Sequence, residues 1–126
     1  MKNYLILVLT TLHLFITSSI CTLPFEMSDY ESQIKSHSSE LILGETPTKK
    51  DARDKAERVW LEYYGDSIHR ERPYLVYFDE ENGTWLVKGT FELPHPKFLL
   101  YPFANGVTPH ILIQKSDGKV LAVWLG

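Results

Sequence analysis

The sequence predicts an α+β domain, with one N-terminal amphipathic helix packed on an antiparallel sheet of about four strands. Three observations carry that expectation. A helical apolar period runs through Ala52, Ala56, Val59, Trp60 and Tyr63. Short alternating apolar runs follow it. The turn signals Asn82-Gly83 and Asp117-Gly118 separate those runs. A helix and a sheet with one apolar face each are stable when they cover one another.

Size and composition bound the rest. A chain of 126 residues has room for one domain. At 44% apolar and 23% charged it has a globular composition rather than a disordered one. A net charge of −3 argues against a nucleic-acid binder that works by neutralising phosphates. The one cysteine excludes an intramolecular disulfide framework and a cysteine-based zinc site.

Residues 1–21 read as a signal peptide. Lys2 supplies positive charge, Tyr4 to Ile16 is mostly apolar, and Thr17-Ser18-Ser19 are small and polar. The apolar run is short for a membrane span, which needs about 20 residues, although an uncleaved anchor stays open. Cys21 ends this segment. Its position resembles a bacterial lipoprotein signal, in which such a cysteine is lipidated and becomes the mature N-terminus. Ile20 departs from the small residue usual there, so simple cleavage after Ser19 or Cys21 is the alternative. Export to the periplasm, free or lipid-anchored, is the expected location.

Residues 22–47 read as a polar tether. Ser28, Ser32, Ser36, Ser38 and Ser39 lie among charged residues, with few large apolar groups to offset the cost of ordering. Leu41-Ile42-Leu43 is the exception, a candidate edge strand or staple onto the domain. Gly44 and Pro47 punctuate the chain before the domain at 48–126.

Two helix starts are compatible with the sequence. Thr48 followed by Asp51 resembles a capping box, and Thr46 with Pro47 is an equivalent cap. Oppositely charged residues at i, i+4 suggest Asp51–Lys55, Asp54–Arg58, Arg53–Glu57 and Arg58–Glu62 pairs. Gly65 marks the exit. Strands follow at Tyr74–Phe78, Thr84–Thr90, His110–Lys115 and Val120–Leu125. Trp85, Val87 and Gly89 share one face, and Leu86 and Lys88 the other. Trp60 and Trp85 are expected in the core.

Catalytic signals are missing. His69, His95 and His110 fall in separate segments without metal-ligand spacing, and there is no glycine-rich phosphate loop. Glu80 and Glu81 are neighbours on a turn and point apart. The expectation is a non-enzyme with no catalytic, cofactor or metal residues. The aromatic load reads as a small domain's core, with a ligand pocket as the alternative.

Three blocks together resemble the nuclear transport factor 2-fold immunity proteins of bacterial toxin–immunity systems, over residues 51–126. The first holds Ala52, Ala56, Trp60, Tyr64, Gly65 and Ile68. The second holds Pro73, Tyr74, Trp85, Val87, Gly89 and Thr90. The third holds Gly106, Pro109, Ile111, Ile113, Lys115, Asp117, Gly118, Lys119, Val120 and Leu121. The resemblance implies a small nuclear transport factor 2-like, or cystatin-like, arrangement. It implies a protein that binds and neutralises a cognate toxin domain, without a cofactor. If the chain is exported, that toxin acts in the cell envelope. The only membrane contact expected is a possible N-terminal lipid or signal anchor. A small exported inhibitory module of the peptidase-propeptide kind, or a ligand-binding domain, is the alternative.

Phe91 to Asn105 departs from the family's short glycine-rich link and is rich in large apolar groups. Four consecutive apolar residues in an extended chain cannot all face one core. Phe98, Leu100, Tyr101 and Phe103 are therefore the candidate partner-binding residues. Completion of the core by the same segment is the competing reading.

Overall fold

The structure is a computed structural model, and it describes residues 22–90 and 108–126. A two-residue strand β1 (Leu23–Pro24) leads into a 3-10 turn (Met27–Tyr30) and a short helix α1 (Glu31–Ser36). The main helix α2 (Lys49–Tyr64) follows, then a 3-10 segment (Asp66–Glu71). Strands β2 (Leu75–Asp79), β3 (Thr84–Lys88), β4 (Pro109–Gln114) and β5 (Val120–Leu125) complete the fold.

Of the two compatible caps, the helix uses Thr48. Its hydroxyl oxygen accepts from the Asp51 backbone N–H at 3.1 Å, and the hydroxyl donates to the Asp51 carboxylate at 2.7 Å. One orphan donor of the first turn is thereby satisfied. Ala52, Ala56, Val59 and Trp60 are buried, as their spacing predicts. Tyr63 is not: it is 47% exposed. Tyr64, four residues after Trp60, takes the inward position against the core. Tyr63 instead meets Tyr64 edge-on, with ring centroids 6.0 Å apart.

The sheet runs in the order β1-β2-β3-β4-β5. It is antiparallel except for β1, which pairs parallel to β2 through Leu23↔Tyr77 and Pro24↔Phe78. Its register sorts side chains by parity. Trp85↔Ile113 and Val87↔Ile111 pair on the face covered by α2. Leu86↔Leu112 and Leu112↔Ala122 pair on the opposite face. A bulge between β4 and β5 breaks strict alternation. Val120 and Val123, three residues apart, consequently both join the helix-side core.

The second face accounts for the largest difference from the sequence reading. Residues 22–47 are not simply a tether, and the sheet has five strands rather than four. Phe25, Met27, Tyr30 and Ile34 pack over Leu86, Leu112, Ala122 and Trp124. Tyr30 lies 5.8 Å from the Trp124 ring and 5.9 Å from Phe25. Without this cover, the two-sided burial of β3, β4 and β5 would leave an apolar sheet face in water.

Residues 41–46 staple the other sheet edge, as Leu41-Ile42-Leu43 suggests. Ile42 bridges Lys119, and the Val120 N–H donates to Leu41 O at 2.9 Å. Leu41 and Leu43 turn into the core while Ile42 points out. Gly118 makes the close approach possible, because a Cβ there would collide with the Gly44 backbone. The Trp85 indole N–H donates to Thr46 O at 2.7 Å. Lys55 Nζ donates to Glu45 O at 2.6 Å, Gly44 O at 3.1 Å and Thr46 Oγ1 at 3.2 Å. The expected Asp51–Lys55 pair is therefore replaced: Lys55 reaches the staple, and Asp51 serves the cap.

Candidate functional site

Two open clefts flank the folded core. The first, of about 490 Å³, lies beside α2 and is lined by Arg53, Asp54, Glu57, Arg72, Pro73 and Tyr74. The 3-10 segment after Gly65 carries the chain back along the helix, and the cis Arg72–Pro73 bond follows it. Arg72 then grips Glu57 with two parallel bonds, Nε to Oε2 at 2.8 Å and Nη2 to Oε1 at 2.5 Å. The Tyr74 hydroxyl donates to Glu57 Oε2 at 2.5 Å. His69 Nδ1 stands 3.9 Å from the same oxygen. The expected Arg53–Glu57 pair gives way to this planar fork, which fits a carboxylate better than a flexible contact along the helix. On the exposed side, Lys50 pairs with Asp54 at 2.6 Å.

The electrostatics of this cluster follow from its hydrogen bonds and its burial. The Arg72 hydrogen bonds hold the Glu57 carboxyl below its usual range, with the Tyr74 hydroxyl assisting. Burial, then Glu57, pushes the Tyr74 hydroxyl well above its ordinary value. Both shifts run away from neutrality, the reverse of the tuning a general acid or base needs.

The second cleft, of about 530 Å³, lies between the N-terminal cover and the β2–β3 turn. Glu26, Glu31, Asp79 and Glu81 line it with Met27 and Ile34. Asp79 is structural. Its carboxylate accepts from the Glu81 and Asn82 N–H groups at 3.0 and 3.3 Å, from the Asn82 amide at 2.9 Å and from the Met27 N–H at 3.2 Å. The Asn82 side-chain bond is the main reason its pKa lies below the ordinary carboxylate value. One residue thus shapes the hairpin turn and pins the N-terminal cover to it.

His69 and His110 sit in different surroundings. His69 borders Glu57, while His110 stacks on Trp124 with ring centroids 4.9 Å apart. Among the described residues, no group of histidine, cysteine or acidic side chains has the geometry to hold a metal ion. Among the same residues, no helix is long and apolar enough to cross a membrane. Cys21, Phe98, Leu100, Tyr101 and Phe103 lie outside the described residues, as does His95. Sequence reasoning did not find the Glu57–Arg72–Tyr74 cluster. Fifteen residues separate Glu57 from Arg72, and no spacing rule connects them.

A family model described as NTF2 fold immunity protein matches residues 52–126. The match spans the first cleft, both tryptophans of the helix-side core and strands β2 to β5. Comparison with curated proteins and with solved structures gives no match.

Proposed function

This chain belongs to the NTF2 fold immunity proteins, and on that premise we propose that it binds a cognate bacterial toxin domain and neutralises it in the cell envelope. The family match over residues 52–126 carries the toxin-immunity reading. The compact helix-on-sheet core and the internally paired Glu57–Arg72–Tyr74 cluster supply a rigid scaffold for such binding.

The envelope assignment rests on the signal-like residues 1–21, because an immunity protein protects only the compartment it occupies. Export frees the protein in the periplasm, or a lipid on Cys21 holds it at the membrane. Strand β1 begins at Leu23, two residues past Cys21. A lipid on that cysteine therefore leaves almost no slack between the membrane surface and the β1 edge. Phe98, Leu100, Tyr101 and Phe103 supply the apolar contacts to the toxin.

The test is protection. Cells exporting the cognate toxin domain, expected to be cell-wall-degrading or membrane-damaging, should survive when the full-length chain is co-expressed. They should die when residues 1–21 are removed. Equal protection by both forms would sink the envelope assignment, and protection by neither would sink the immunity reading. Phe98→Ser, Tyr101→Ser and Phe103→Ser should each lose protection while the protein stays folded. Destabilisation in proportion to lost protection would assign those residues to the core instead.

A further inference from the structure

Glu71 is the one buried side chain among the described residues with an unsatisfied polar atom. Its residue is 8% exposed, and Oε2 has no hydrogen-bond partner. Leaving a buried acceptor unpaired is costly, and leaving a buried charge unpaired costs more. The surroundings fix the residue in place through its Cβ and its backbone carbonyl. Gly89 packs so closely that a Cβ there would stand 2.7 Å from Glu71 Cβ and 2.8 Å from Pro109 Cδ. The Thr90 N–H donates to Glu71 O at 2.7 Å, and the Thr90 hydroxyl donates to Pro73 O at 2.6 Å. The Gly89 N–H donates to Pro109 O at 2.9 Å. The end of the 3-10 segment, the exit of β3 and the start of β4 thus meet at Glu71, whose carboxyl is buried within that joint.

The charged groups on these elements do little to neutralise it. Arg70, on the same segment, favours the ionised form but is outweighed by burial. Lys88 sits over the Tyr77 ring, and His110 stacks on Trp124. Glu57 and Arg72 satisfy each other, with His69 at their edge.

We propose that Glu71 is a protonation-controlled catch: while its buried carboxyl is neutral the 3-10 segment stays seated on Gly89, Thr90 and Pro109, and ionisation releases that joint. Burial pushes the carboxyl up to about 7 from an ordinary value of 4.5. The folded state therefore holds a proton that the unfolded chain has lost. Stability falls as pH rises from the unfolded value through the folded one, and levels off above it. The inference is independent of which toxin the protein binds.

The experiment compares the protein with Glu71→Gln from about pH 4.5 to about pH 8, the window between and just beyond the two values. Glutamine keeps the shape and removes the charge. The unfolding constant of the wild type relative to the variant should rise roughly a hundredfold over that window. Protection of the Thr90 amide against exchange should fall in the wild type alone. A carbon-13 titration of the Glu71 carboxyl in the wild type decides the matter even if the variant folds poorly. A midpoint near neutrality is expected. Parallel pH profiles, unchanged Thr90 protection or an ordinary carboxylate midpoint would each overturn the catch.

Discussion

Replacing Lys55 by Met should loosen the staple of residues 41–46 while leaving the helix intact. The ammonium of Lys55 donates to three oxygens of that segment, at 2.6, 3.1 and 3.2 Å. Methionine keeps an unbranched stem of similar bulk and loses the charge and donors. A charge-assisted hydrogen bond contributes about 1.5–3 kcal/mol when its partners are well shielded. Here Gly44 and Glu45 are exposed, so water replaces much of what is lost at their carbonyls. Thr46 is fully buried and its own carbonyl holds the Trp85 indole, so disorder there spreads to the core. The expected loss is about 1–2 kcal/mol, enough to lower Tm by several degrees. Lys50→Met is the matched control, because Lys50 pairs with Asp54 on the solvent side of the same helix and should leave stability unchanged. Urea unfolding followed by tryptophan fluorescence measures both. If the two variants unfold at the same midpoint, the staple is not held by Lys55 and the reasoning fails.

Three further outcomes follow from the packing and the buried titratable groups. Trp60→Ala and Trp85→Ala should each cost about 3–5 kcal/mol by leaving cavities where helix and sheet meet; an unchanged melting temperature for either would contradict its place in the core. Tyr30→Ser should destabilise the protein and shift Trp124 emission to the red, because Tyr30 covers that ring; emission identical to the wild type would show that residues 25–34 do not shield the second face. Burial holds the His110 pKa below its ordinary 6.5, so the unfolded chain takes up that proton first. His110 should therefore cost stability as pH falls below the ordinary value, and His110→Gln should remove that component from the pH profile.

The legible part of the fold was the part with a strong local period. Ala52 to Trp60 declared a helix, the Asp117-Gly118 turn declared a hairpin, and β5 was located at Val120–Leu125 to the residue. The cover over the second sheet face was hidden for a physical reason. Phe25, Met27, Tyr30 and Ile34 are spaced irregularly through a serine-rich stretch, and they gain their value only from Leu86, Leu112 and Trp124, far along the chain. Tyr63 and Tyr64 could not be told apart by helical spacing alone, since both continue the stripe within four residues. The bulge that turns Val120 and Val123 to one face depends on the partner strand. The Glu57–Arg72 fork likewise depends on the 3-10 return that brings Arg72 to the helix.

The central claim is that this protein acts by binding a toxin. Mixing the purified protein with its cognate toxin domain, and measuring complex formation and toxin activity together, tests that claim most directly. A stable complex with the toxin's activity abolished is the expected result. A fully active toxin with no detectable complex, from a protein shown to be folded, would contradict it.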